Sequence, residues 1–431
     1  MAVRTAARTA ERTGVWAGPA AAARPLQPTS RALTAWAGRL QSPLAGYYLV
    51  LGSTIALVGL GLVMVLSSSS VESLRELHSS YTIFAKQAMF AAIGLPLAVV
   101  AACVPPKVWK ALAWPLLLLG FGSLLLVLAI GQTVNGNRNW VVLGGVTLQP
   151  SEAVKLALVV WVAAVLERKR PLMHQTVHAV VPVVPVAALL LALVLAGRDL
   201  GTALVLMALV AALMFAAGVP LRVFAVSGGL ALFAVFVLVT TSPNRMQRLA
   251  AWRGGGAADP QGTNWQPLHA LWALASGGWW GLGLGESRQK WFWLPEAHND
   301  FIFAIIGEEL GLVGTLAVLA LFAMLAVGLF RLVLAADDVF VKIATGGVLA
   351  WVLGQALVNI GAVVGLLPVV GVPLPLVSSG GSALVTTLIA LGMVLGFARR
   401  VPGAAEALAS RPSVVARSLA VLPRRRNGGV A

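Results

Sequence analysis

The chain has 431 residues, 59% hydrophobic and 11% charged, with a net charge of +16. Soluble domains carry roughly 25% charged residues, so this composition, with a mean hydropathy of +0.88, excludes a secreted disulfide scaffold, a nucleic-acid-binding module and a soluble dinucleotide-binding enzyme. The length accommodates about ten membrane spans of ~20 residues.

Residues 1–44 hold six arginines (Arg4, Arg8, Arg12, Arg24, Arg31 and Arg39) and one acid, Glu11. They read as a disordered, basic cytoplasmic tail, because the first apolar core begins near Gly46, too far in for a signal peptide. Apolar runs follow near 46–67, 83–103, 109–131, 151–166, 178–196, 201–218, 223–241, 300–330, 343–365 and 383–398. Residues 401–431 form a second basic tail with Arg411, Arg417 and Arg424 to Arg426. Basic flanks of this kind orient spans and meet anionic lipid. The even number of runs returns the C-terminus to the N-terminal side. Lys107, Lys110, Arg168 to Arg170, Arg222, Arg331 and Lys342 fall on that same side. The expectation is an all-α integral membrane protein of ten helices over residues 45–400, with both termini cytoplasmic. Cys103, the one cysteine, reads as a small buried apolar residue.

The opposite side carries connections 68–82, 131–150, 197–201, 241–299 and 366–382, rich in Gly, Trp, Asn, Gln and Pro. Long connections bind or react more often than they merely join. The 241–299 segment, between the seventh and eighth helices, is therefore the first place to look for chemistry.

Ionisable groups inside apolar runs are functional candidates by default. Glu152 and Lys155 stand three apart on one helix face, as a self-neutralising ion pair or as substrate contacts. Asp199 suits a helix N-cap as well as a site. Glu308 and Glu309 lie inside the eighth run, in structural or catalytic contact. The long segment adds Arg245 and Arg248, Asp259, Gln266, Lys290, Glu296 and Asp300. Arg and Lys beside flexible glycines at a membrane surface suit a lipid-borne pyrophosphate. Trp279 and Trp280 read as an interfacial belt. Five histidines without His-x3-His spacing and one thiol argue against zinc. Asp259, Glu296 and Asp300 could share a divalent cation, magnesium or manganese, with substrate phosphate.

Four motifs then resemble one family, the SEDS (shape, elongation, division and sporulation) peptidoglycan glycosyltransferases that include FtsW and RodA. They are Asn135-Gly-Asn-Arg138-Asn-Trp140 with Gln149-Pro-Ser151-Glu152 and Lys155; Asp199-Leu-Gly-Thr202; Leu294-Pro-Glu296-Ala-His298-Asn-Asp300-Phe-Ile-Phe303 with Gly307-Glu-Glu-Leu-Gly311; and Pro368 to Pro375 with Ser379-Gly380-Gly381-Ser382. The resemblance covers about Leu51 to Arg400. Met64-Val-Leu-Ser-Ser-Ser, Pro295-Glu-Ala-His298 and Ile305-Ile-Gly-Glu-Glu309 look more like the division member than the elongation member, and the Arg- and Ala-rich tails suggest an actinobacterial source. Gly197-Arg198-Asp199 stands where the family usually has Gln-Pro-Asp.

The resemblance implies polymerisation of lipid II into β-1,4 glycan on the outer face of the cytoplasmic membrane, with release of undecaprenyl pyrophosphate. It assigns Asp259 as the catalytic base. Arg138, Arg245, Arg248 and Lys290 become candidates for the pyrophosphate clamp, and the other motif residues become substrate contacts. It further implies a class B penicillin-binding transpeptidase and other division proteins as partners, and a place at the septum. The rival readings are a lipid II flippase, an elongation-type polymerase and a scaffold that recruits the transpeptidase.

Overall fold

A computed structural model describes residues 44–404, apart from 135, 136, 145, 173, 174, 242, 254–261, 263 and 402. Both basic tails, Asn135 and Asp259 therefore lie outside the described residues.

Each of the ten apolar runs falls on helix. The helices are α1 (Ala45–Leu77), α2 (Thr82–Cys103), α3 (Pro106–Ile130), α4 (Pro150–Lys169), the short α5 (Thr176–Val180), α6 (Val183–Ala196), α7 (Leu200–Ala216) and α8 (Leu221–Thr240), then α9 (Pro243–Arg253), α10 (Trp265–Gly277), α11 (Ile302–Ala335), α12 (Val339–Val363) and α13 (Gly381–Ala398). Among the described residues seven helices, α1, α2, α3, α8, α11, α12 and α13, are long and apolar enough to cross a membrane. The apolar helices α6 and α7 are shorter, and α4 carries charges at both ends. This is a multi-pass membrane protein.

Helices that are apolar all round are sorted by what surrounds them. Helix α4 is buried almost throughout from Ser151 to Ala164, packed among α3, α7, α12 and α13. Helix α8 buries Val223 alone. A buried helix can hold charges only if its neighbours satisfy them, and α4 is the one that carries Glu152 and Lys155.

Two expectations need correction. The 131–150 connection is not irregular loop but an antiparallel three-stranded sheet, β1 (Gln132–Val134), β2 (Asn137–Leu143) and β3 (Val146–Leu148), with Thr133 opposite Arg138 and Val141 opposite Leu148. Its Val- and Thr-rich strands favour extended backbone, so the fold is mostly rather than wholly helical. Cys103, expected to be buried, is exposed at the C-terminal end of α2. The 241–299 segment, moreover, contains two helices, α9 and α10.

Helix α11 is broken. Gly311 adopts φ 67° and ψ −163° inside it, a region open essentially to glycine alone. The glycine-rich turn after α10 repairs the interrupted ladder. Leu282 and Gly283 donate to the carbonyls of Glu308 and Glu309, and Leu312 and Val313 donate to those of Gly278 and Trp279, at 2.9–3.3 Å. A Cβ on Gly311 would lie 2.4 Å from the Gly281 nitrogen, so the turn docks only because no side chain intervenes. Trp279 and Trp280 point outward, 70% and 81% exposed.

Candidate active site

Several helix ends meet where the motifs converge. Asp199 caps α7 and accepts hydrogen bonds from the Thr202 N–H (2.9 Å), the Thr202 hydroxyl (2.8 Å), the Asn139 amide (2.9 Å) and the Gln149 amide (3.3 Å). The N-cap reading thus holds, and the same carboxylate ties β2 and the start of α4 to α7. Gln149 is in turn fixed by its backbone N–H, which donates to the Ser382 hydroxyl at 3.2 Å. Beside it, the buried Ser151 hydroxyl and the Asn139 side-chain carbonyl have no partner among the described residues.

The second wall is the segment that leads into α11. Glu296, held at φ 59°, accepts from the backbone N–H groups of Asn299 and Phe301 through its carbonyl. His298 Nδ1 meets a Glu72 carboxylate oxygen at 3.1 Å. Burial disfavours the charged imidazole, but the bond to Glu72 and the charges of Glu72, Glu296 and Asp300 prevail and raise its pKa. The Asp300 carboxyl is pushed up to about 7, first by burial and then by the Glu296 charge, against the opposing pull of Arg248 and His298, with Asp199 adding to the rise. Asp300, Glu296, His298, Asp199 and Arg248 therefore share one electrostatic neighbourhood, with an acid that changes charge near neutral pH.

The 372–381 segment backs this wall. Ser379 donates its N–H to the His298 carbonyl (3.0 Å), and the Ser378 hydroxyl donates to the Asn299 carbonyl (2.6 Å). Gln87 receives the Gly380 N–H (3.2 Å) and donates to the Ser378 carbonyl (3.1 Å). Gly381 opens α13 against the Phe90 ring, which stands 2.1 Å from where a Cβ would be.

Other candidates turn inward. Lys155 and Glu152 form a buried pair at 2.7 Å, and Lys155 also donates to Gln355 at 2.9 Å. Lys290, expected in the pyrophosphate clamp, is buried and paired with Glu309 at 3.3 Å, and its ammonium also donates to the Gly285 carbonyl. Ser67 donates to Glu309 at 2.6 Å, while Glu308 receives the Ser287 hydroxyl and the Arg288 N–H. In this geometry Lys290 pins the glycine-rich turn. Arg138 donates to the carbonyls of Gly131 (2.9 Å) and Ala129 (3.0 Å) at the end of α3. Trp140 lies on β2, Gln266 on the first turn of α10, and Arg245 and the exposed Arg248 on α9.

Sequence reasoning passed over Glu72, Gln87, Gln355 and Asn359. Each is a polar residue inside an apolar helix, and Gln355 and Asn359 repeat at four-residue spacing on α12. That spacing, on one face of a helix, was the available sign.

Fold and site together define a polytopic membrane protein with an acidic, ionisable cluster at the ends of its helices. The chain belongs to the FtsW/RodA/SpoVE family of cell cycle proteins, whose model matches residues 48–401. It is 39% identical over 395 residues, 91% of this chain and 74% of the relative, to a probable peptidoglycan glycosyltransferase FtsW of Mycobacterium tuberculosis. A Geobacter protein of the same description is 37% identical, over 83% of this chain and 98% of its own. Among solved structures, a chain of a peptidoglycan synthase complex that coordinates polymerization and crosslinking matches with a TM-score of 0.66 and 30% identity, covering 82% of this chain and 97% of that one. The rod shape determining protein RodA of Thermus thermophilus matches with a TM-score of 0.62 and 29% identity, over 82% and 97%.

Proposed function

We propose that this protein is a peptidoglycan glycosyltransferase that polymerises lipid II during cell division. The observation that carries the reading is the ionisable cluster of Asp199, Glu296, His298 and Asp300, faced by Arg248, at the ends of apolar helices. A substrate with a lipid tail and a charged sugar headgroup needs that pairing of surroundings. The helices span the membrane ten times with both termini cytoplasmic, which sets the cluster and the 241–299 segment on the outer face. The arginine-rich composition of both tails suits anionic lipid on the cytoplasmic side.

In the reaction the 4-hydroxyl oxygen of one lipid II attacks the anomeric carbon of another. The bond to the pyrophosphate breaks, undecaprenyl pyrophosphate leaves and the α-linkage inverts to β-1,4. Asp259, on the segment between α9 and α10, takes the hydroxyl proton. Partial desolvation beside lipid raises a carboxylate toward the strength such a base needs. Arg245 and Arg248 of α9 and Arg138 of the sheet clamp the departing pyrophosphate. Glu296 and Asp300, with Asp259, are the carboxylates that would hold a divalent cation together with phosphate oxygens; among the described residues alone no group of three such ligands gathers. A class B penicillin-binding transpeptidase at the septum is the partner that crosslinks the product.

The test is polymerisation of labelled lipid II by the full chain with its transpeptidase in penicillin-blocked form, beside Asp259→Asn. A glycan ladder from wild type and none from an equally folded variant is expected. Equal ladders would remove Asp259 from the chemistry, and no ladder from folded, partner-bound wild type would favour the flippase.

A further inference from the structure

Helix α12 carries two carboxamides that bind backbone rather than side chains on the site wall. Asn359 is buried, and its Nδ2 donates both to the Asp300 carbonyl and to the Val372 carbonyl, each at 2.8 Å. One turn earlier, Gln355 donates to the Pro373 carbonyl at 3.0 Å while its Oε1 receives Lys155 (2.9 Å) and the Trp351 indole N–H (3.0 Å). Adjacent carbonyls of one segment are thus gripped by two residues of one helix face, and Asn359 also ties that segment to the Asp300 carbonyl, beside the direct bonds of Ser378 to Asn299 and Ser379 to His298. A cleft lies at this bridge, lined by Asp300, Asn359 and Gly371 among others.

The side-chain carbonyl of Asn359 is buried with no partner among the described residues. A buried acceptor without a partner destabilises a fold, and an apolar residue of equal volume would pack there without that penalty. What the carboxamide supplies is a two-pronged tie between segments 298–300 and 372–379.

We propose that Asn359 is a positioning residue for glycosyl transfer, assisted by Gln355: it holds the Asp300 backbone against residues 372–373 and thereby fixes the Asp300 carboxyl at the wall of the site. The proposal rests on the polymerase reading for its catalytic half, and its structural half stands on the hydrogen bonds alone.

Asn359→Leu removes both donors while keeping the branched side-chain outline, and Asn359→Ser keeps one donor. Gln355→Leu releases the neighbouring carbonyl. Lipid II polymerisation kinetics of the full chain with its blocked transpeptidase should show kcat lowered at least tenfold in Asn359→Leu, with KM for lipid II within twofold of wild type. Asn359→Ser should recover part of the loss, and Asn359→Leu with Gln355→Leu should lose less than the product of the two single effects. Hydrogen–deuterium exchange on the same samples should rise in residues 370–379 while the rest of α12 stays protected. A folded Asn359→Leu with wild-type kcat, a loss confined to KM, or unchanged exchange in 370–379 would overturn the proposal. If Asn359→Leu does not fold, wild-type kcat and exchange in Asn359→Ser would overturn it equally. A wild type that makes no polymer would instead sink the polymerase reading, and exchange would still decide whether the tie exists.

Discussion

Two buried polar regions flank the entrance to α11, and they are built on opposite terms. Around Glu308 and Glu309 the charges are matched: Ser67, Ser287, Lys290 and the Arg288 N–H supply the donors that the two carboxylates need. Around Asp300 like charges gather instead, with Glu296 and Asp199 both opposing its ionisation, and Asn139, Ser151 and Asn359 leave polar atoms without partners among the described residues. A fully satisfied network fixes a fold, and a partly satisfied one stores unmet demand. The first region is built as scaffold, and the second is the one the proposed reaction would use.

The comparison breaks most visibly if the scaffold pair is cut on one side. Lys290→Ala leaves Glu309 charged and buried, and losing one partner of such a pair destabilises by about 3–5 kcal/mol. A thermal melt should show it as the largest loss of the set, with much of it recovered in Lys290→Met combined with Glu309→Gln. Next comes the helix break. Gly311→Ala forces a side chain into a glycine-only conformation, at about 1–3 kcal/mol for the strain, and should free the 278–283 turn to proteolysis.

The open region responds to pH. Folding raises the Asp300 pKa from 3.8 to about 7, so the folded state holds a proton that the unfolded chain has released, and stability declines as pH rises through that window. Asp300→Asn should therefore raise the melting temperature more at about pH 8 than at about pH 5, and change it little only below about pH 4. An equal gain at both would contradict the repulsion described above. The smallest effect is at the margin of the site. His298 has a raised pKa through Glu72, so their pairing stabilises below the usual histidine range and fades as pH climbs past the folded value. Glu72→Gln should lower the melting temperature at about pH 6 and leave it unchanged at about pH 9.

Much of this was legible in the sequence. Apolar runs located the helices because lipid demands internally satisfied backbone, and the motif aspartates and glutamates announced themselves by standing where charge is expensive. The sheet around Arg138 was missed because two of its three strands are only three residues long and carry almost no periodicity, and the break at Gly311 because a helix interior glycine looks the same whether or not the ladder is interrupted. Lys290 illustrates the deeper limit. Its charge beside glycines suggested a ligand, while its intramolecular partner, Glu309, lies nineteen positions away and across a turn whose docking depends on three-dimensional packing. Asn359 was overlooked for the converse reason, since a neutral amide that binds carbonyls leaves no charge pattern to read.

The most direct test compares the two regions in one assay of lipid II polymerisation per folded molecule. Asp300→Asn, from the open region, should lose most of its activity, because it removes a carboxylate proposed to hold the cation and the substrate phosphate. The neutral pair Lys290→Met with Glu309→Gln, from the scaffold, should stay within about threefold of wild type, because isosteric replacement of a matched buried pair is often neutral. Activity surviving in Asp300→Asn, or vanishing in a folded Lys290→Met with Glu309→Gln, would contradict the division of the molecule into scaffold and site.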